Sequence, residues 1–94
     1  MKKVLIVEDD PNIVDLLKIH LKDLECQITR THNGHDGLEE GLKNEFDLII
    51  LDVMLPGPDG MEVCRQIRAN RIRTPILMLT AKSEEIDKVL GLET

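Results

Sequence analysis

The chain has 94 residues, of which 41% are hydrophobic and 32% are charged. This balance is ordinary for one soluble globular domain and argues against a disordered or fibrous protein. The net charge of -6 at pH 7 opposes contact with nucleic-acid phosphates and anionic membranes, so we expect no direct binding to either. No apolar run approaches the roughly 20 residues of a membrane-spanning helix, and we expect a cytoplasmic protein.

The first elements are a buried strand and a capped helix. Residues 4–7 form a continuous apolar run that stops at three consecutive acids, as expected of a strand buried on both faces. Asp10 is a suitable N-cap and Pro11 a suitable first helical residue. Apolar residues then recur at helical spacing to about residue 24, so a helix follows the strand directly.

The middle of the chain repeats this strand and helix pattern. Alternating apolar and polar residues at 26–31 predict a second strand, and leucines four apart predict a second helix over 34–44. A second fully apolar run at 48–51 predicts strand three, which ends at the acid Asp52. Two prolines and two glycines within residues 55–60 predict a stiff loop.

The sequence patterns in the last third of the chain predict helix three from about residue 61 and a fourth apolar strand at 75–79. They also predict the capped opening of helix four at Ser83. Strands that alternate with helices predict βα units with right-handed crossovers. The fold class is therefore α/β, a doubly wound parallel sheet with four strands and about four helices. No linker or repeat divides residues 1–94, which we interpret as one domain.

Polar side chains suited to chemistry follow three of the predicted strands. They are Glu8 and Asp9 after strand one, Asp52 after strand three, and Thr80 after strand four. In open parallel sheets the working site lies beyond the carboxyl ends of the strands, so we expect these groups to converge. Crowded carboxylates repel one another unless a cation neutralises them, and oxygen ligands alone favour Mg²⁺. A carboxylate beside such a metal can act as a nucleophile toward phosphorus.

These motifs, in this order, resemble the receiver domains of bacterial two-component response regulators. The matching segments are Val-Glu-Asp-Asp at 7–10, Asp-Val-Met-Leu-Pro-Gly at 52–57 and Leu-Thr-Ala at 79–81. The loop and the Gly-Met-Glu-Val-Cys-Arg run after it are most similar to receivers attached to winged-helix transcription factors. The resemblance implies a flavodoxin-like fold with strand order 2-1-3-4-5.

The resemblance also implies a role for each site residue. Asp52 would be the phospho-acceptor, and the hydroxyl of Thr80 would bind a phosphoryl oxygen as the switch residue. Met54 and Lys82 would flank the site and tune the lifetime of the phosphoryl group. The implied Mg²⁺ ligands are Glu8, Asp9, Asp52 and the backbone carbonyl of Met54.

The function implied by this family is a signalling switch. A sensor histidine kinase donates the phosphoryl group, and the domain promotes its own phosphorylation and dephosphorylation without being an enzyme toward other substrates. The controlled partner is an output domain, of DNA-binding type by the same resemblance, that these residues do not contain. An aspartyl-phosphate hydrolase would normally carry a second Asp two residues after the nucleophile, and position 54 is Met. A non-phosphorylated interaction module or folding fragment of a receiver stays open.

One departure from the family pattern bears on stability. The sequence ends before a fifth parallel strand, a fifth helix, the site lysine and the aromatic switch residue, and Lys82 lies too early to be that lysine. We therefore expect a receiver domain that is incomplete at its C-terminus. Strand four would then be an exposed apolar edge, so we expect a homodimer, a swap of elements through that edge, or a marginally stable chain.

Overall fold

The computed structural model describes residues 1–79 and the backbone of residues 89–93. The strands are β1 (Lys3–Val7), β2 (Gln27–Thr31), β3 (Leu48–Asp52), β4 (Ile76–Leu79) and β5 (Val89–Glu93). The helices are α1 (Pro11–Leu21), α2 (Gly34–Lys43) and α3 (Gly60–Ala69), and a short 3-10 helix, Lys22–Leu24, follows α1. No helix among these residues combines the length and the apolar character needed to cross a membrane.

The sheet has the order β2-β1-β3-β4-β5, and neighbouring strands are parallel from β2 to β4. Because successive side chains of a strand point to opposite faces, the apolar run of β1 serves two cores. Leu5 and Val7 pack in the core that includes Val63 of α3, while Val4 and Ile6 pack in the core that includes Val14 of α1. Helices thus cover both faces of the sheet, and the predicted doubly wound α/β class is confirmed.

The last strand corrects one prediction from the sequence. The four predicted parallel strands are confirmed, and β5 joins them by pairing antiparallel with β4, so the predicted exposed edge of β4 is wrong. The backbone groups on that edge are paired, which removes the basis for predicting a dimer or an element swap there.

The predicted fourth helix does not extend through the end of the chain. Its opening at Ser83 lies outside the described residues, but Val89 and Leu90 belong to β5. The apolar spacing that fits a helix also fits a short strand, and Gly91 is a poor interior helix residue. Pairing with β4 selects the strand over the helix for these residues.

Candidate functional site

The ends of β1 and β3 bring three carboxylates together. The two strands are adjacent and parallel, with Val7 opposite Leu51. The residues that follow these two, Glu8 and Asp52, therefore lie side by side. Glu8 is only 5% exposed and Asp52 only 3%, while Asp9 is exposed. One carboxylate oxygen from each of these acids lies within 4.8 Å of the others. The structure therefore gathers three of the residues singled out in the sequence.

Hydrogen bonds hold Glu8 on several sides. Its N–H donates to the Thr31 carbonyl at 3.1 Å, which continues the pairing of β1 with β2 beyond the strand end. Its side chain accepts from the N–H of Asp10 at 3.1 Å. Asp10 in turn caps α1, because its carboxylate accepts from the Asn12 N–H at 2.9 Å. The predicted cap is confirmed, and it links the start of the helix to the acidic turn.

Arg30 is a contributor that the sequence reasoning missed. From β2 its Nε and Nη2 donate to the main-chain carbonyl of Glu8, at 3.2 and 3.0 Å. The guanidinium thus fixes the backbone of the residue whose carboxylate enters the site. The sequence signal that could have revealed this role is an arginine in a half-buried strand. The hydrogen bond itself depends on β2 lying next to β1, which the sequence does not state.

Replacing Arg30 by methionine is expected to lower the free energy of unfolding by about 1 to 2 kcal/mol, since two donors to a partly buried carbonyl are lost. Urea denaturation at neutral pH measures the change. The matched variant Arg30→Lys keeps the charge but not the two-pronged donor, and we expect it to fall between the parent and Arg30→Met. An unchanged midpoint for Arg30→Met would show that the interaction contributes nothing to stability.

The end of β3 is held in a similar way. The Val53 N–H donates to the Leu79 carbonyl at 3.0 Å, which continues the pairing with β4. The Asp52 carboxylate accepts from the Met54 N–H at 3.1 Å, so the chain turns immediately after the strand. The Gly60 N–H then donates to the Val53 carbonyl at 2.8 Å and closes the loop before α3. Residues 55–59 of the loop predicted from its prolines and glycines are confirmed as irregular structure, while Gly60 already belongs to α3.

Burial, more than mutual repulsion, controls the ionisation of the two buried carboxylates of this site. Burial, assisted by the nearby charge of Asp52, raises the pKa of Glu8 to about 8, although the Asp10 N–H opposes the shift. Burial also raises the pKa of Asp52 above its ordinary value; the charge of Asp9 acts in the same direction and the Met54 N–H against it. Without a cation the buried pair favours one shared proton. Three oxygen ligands and this excess of negative charge fit Mg²⁺.

Not every predicted site residue can be placed. Thr80 and Lys82 lie outside the described residues, and their roles stay predictions. Met54 has an exposed side chain and contacts the site through its N–H, so its carbonyl as a metal ligand also stays a prediction.

Comparison with known proteins identifies the family. Residues 4–94 match the family described as response regulator receiver domain. The chain belongs to this family. As a receiver domain it is 49% identical over 92 residues to the alkaline phosphatase synthesis transcriptional regulatory protein PhoP of Bacillus subtilis. The match covers 98% of this chain and 38% of PhoP, so the chain spans about two-fifths of that relative's length.

Solved structures of receiver domains agree with this fold. The response regulator TrrA of Thermotoga maritima, in complex with Mg²⁺-BeF, is 39% identical with a TM-score of 0.80, over 89% of this chain and 73% of TrrA. TrrA in complex with the histidine kinase ThkA is 40% identical with a TM-score of 0.78, over 88% of this chain and 72% of that one. The resemblance to two-component receivers is confirmed.

Proposed function

We propose that this receiver domain accepts a phosphoryl group on Asp52 in a two-component phosphorelay, with Mg²⁺ held by Glu8, Asp9 and Asp52. The observation that carries the proposal is the pair of buried carboxylates at the ends of β1 and β3, with the exposed Asp9 beside them. Burial without a neutralising partner is unfavourable for two acids. A site that binds a divalent cation removes that penalty and places the cation beside the acceptor.

The chain orients the acceptor through its own backbone. The Met54 N–H holds Oδ1 of Asp52, which leaves the other oxygen to attack phosphorus. With a phosphohistidine as the donor, a bond forms between this oxygen and phosphorus. The bond from phosphorus to the histidine nitrogen breaks, and the electron pair stays on that nitrogen. When bound, Mg²⁺ offsets the negative charge that builds on the phosphoryl oxygens. The group is later lost to water: a water oxygen bonds to phosphorus, the bond from phosphorus to the Asp52 oxygen breaks, and inorganic phosphate and the free carboxylate result.

The finer roles rest on the family. TrrA was solved with a histidine kinase, and by analogy we propose a sensor histidine kinase as the phosphoryl donor here. We further propose that the Met54 carbonyl completes the metal site, that Thr80 binds a phosphoryl oxygen as the switch, and that Lys82 tunes the lifetime. The controlled partner would be an output domain, and we propose a DNA-binding one because one relative is named a transcriptional regulatory protein. A cytoplasmic location stays a prediction from the sequence.

Asp52→Asn is expected to abolish the phosphoryl adduct that forms when the chain is incubated with Mg²⁺ and a small phosphodonor. Asparagine lacks the anionic oxygen that attacks phosphorus. Intact-mass spectrometry measures the adduct, and chelation of Mg²⁺ is expected to slow its formation on the order of 100-fold.

The matched control is Asp15→Asn, which removes an exposed acid of α1 and should leave the adduct unchanged. An adduct that persists in Asp52→Asn would place the acceptor elsewhere. Absence of any adduct on the parent chain, with circular dichroism showing folded α/β structure, would favour the non-phosphorylated module.

A further inference from the structure

The arginines are unevenly distributed along the chain. Four of the five lie within residues 65–73, where there is no lysine and no acidic residue, while all seven lysines lie elsewhere. Because these four contribute +4 to a net charge of -6, the rest of the chain carries -10. Arginine differs from lysine in its planar fork of donors, which pairs with two oxygens of one carboxylate or phosphate.

Three of these arginines border one cavity at the C-terminal end of α3. The cavity has a volume of about 550 Å³ and is lined by Arg68, Arg71, Ile72 and Arg73. Arg71 and Arg73 are exposed, and in the described part of the chain neither has an ion-pair partner. Arg68 is fixed by donation from Nη1 to the Ile72 carbonyl at 2.8 Å. The fourth arginine, Arg65, is paired with Glu62 and does not line the cavity.

Arg71 occupies a position that glycine fills more easily. Its φ is 64°, in the left-handed region that is unfavourable for residues with a Cβ. The Arg71 N–H donates to the Arg68 carbonyl at 2.9 Å, and the Ile72 N–H donates to the Ile67 carbonyl at 3.4 Å. These two bonds form the Schellman closure of a helix, whose left-handed residue is usually glycine. A strained arginine that borders a cavity points to a role for its guanidinium.

We propose that this arginine-lined cavity binds an acidic segment of a partner protein, with carboxylates on Arg71 and Arg73 and an apolar side chain against Ile72. A short acidic peptide fits a cavity of this size. A nucleic-acid duplex would extend beyond it and be repelled by the rest of the chain, which carries a net charge of -10. The cavity lies beside the start of β4, whereas the carboxylates lie beyond the ends of the strands, so binding does not require phosphorylation of Asp52.

The test is a titration of the 94-residue chain with a fluorescently labelled hexaglutamate peptide that carries one central leucine, followed by anisotropy at low salt. We expect binding that weakens as salt rises. The double variant Arg71→Gly, Arg73→Gln is expected to bind about 10-fold more weakly, because two charge-assisted pairs are lost. The control Arg65→Gln removes the same kind of charge outside the cavity and should change the affinity less than about 2-fold.

Folding and specificity are tested separately. Arg71→Gly alone should raise the midpoint of thermal unfolding, because glycine relieves the strain of the left-handed residue, so weaker binding would not reflect lost structure. A glutamine version of the peptide should not bind. No binding of the acidic peptide, an equal loss with Arg65→Gln, or tighter binding of a labelled DNA duplex would each overturn the proposal.

Discussion

Replacing Glu8 by glutamine is expected to stabilise the Mg²⁺-free receiver domain at pH 9 and to weaken its affinity for Mg²⁺. The Glu8 carboxyl is buried, and burial raises its pKa from an ordinary 4.5 to about 8. In the unfolded chain the same group loses its proton near pH 4.5. The folded state therefore binds one more proton than the unfolded state between these two values, so stability falls as the pH rises through this range.

The direction of the effect follows at each end of the range. Below pH 4.5 the carboxyl is protonated in both the folded and the unfolded state and does not lower the free energy of unfolding. Above pH 8 the lowering is complete. Asp52, whose pKa burial also raises, acts in the same direction. Glutamine never ionises, so Glu8→Gln removes the part of the stability loss that the Glu8 carboxyl causes. After allowance for solvent screening at the rim of the sheet, we expect a gain of about 2 kcal/mol at pH 9 and little gain at pH 4.

Urea denaturation between pH 4 and pH 9 without Mg²⁺ measures the first part of this prediction, and calorimetric titration with Mg²⁺ measures the second. Loss of one anionic ligand is expected to lower the Mg²⁺ affinity at least about 10-fold. Glu39→Gln removes an exposed glutamate of α2 and serves as the control for both. A stability difference between Glu8→Gln and the parent that does not grow with pH would show that Glu8 ionises normally in the folded chain.

Much of the fold follows from local patterns in the sequence. The runs of β1 and β3 are apolar throughout because helices cover both faces of the sheet, and such runs indicate buried parallel strands. Each run stops at an acid, and adjacency of the two strands then brings Glu8 beside Asp52. The sequence therefore predicts the gathering of these carboxylates as soon as the strand order is assumed.

Features that depend on contacts between distant segments could not be predicted in this way. The hydrogen bonds from Arg30 to the Glu8 carbonyl require a side chain of β2 to reach the end of β1, and no local pattern encodes that reach. The pairing of β5 with β4 depends on a free sheet edge rather than on the propensity of residues 89–93. The left-handed Arg71 contradicts the preference for glycine at that position.

Gly60→Ala is expected to destabilise the receiver domain by about 3 kcal/mol and to impair the proposed phosphorylation of Asp52. A Cβ at position 60 would lie 2.2 Å from the Asp52 carbonyl oxygen and 2.8 Å from the Val53 Cα. Both are backbone atoms, so the clash is relieved only if α3 or the turn after β3 moves away. The hydrogen bond from the Gly60 N–H to the Val53 carbonyl would be strained by either movement.

Gly41→Ala provides the matched control, because it adds the same methyl group at another buried glycine. There the new Cβ would lie 3.0 Å from Cδ1 of Ile67, the end of a side chain that can rotate, and alanine favours the helix by up to about 1 kcal/mol. We expect Gly41→Ala to stay within about 1 kcal/mol of the parent in urea denaturation and to form the adduct normally. Equal destabilisation by the two variants would mean that the close packing of α3 against the turn after β3 is not what makes position 60 sensitive.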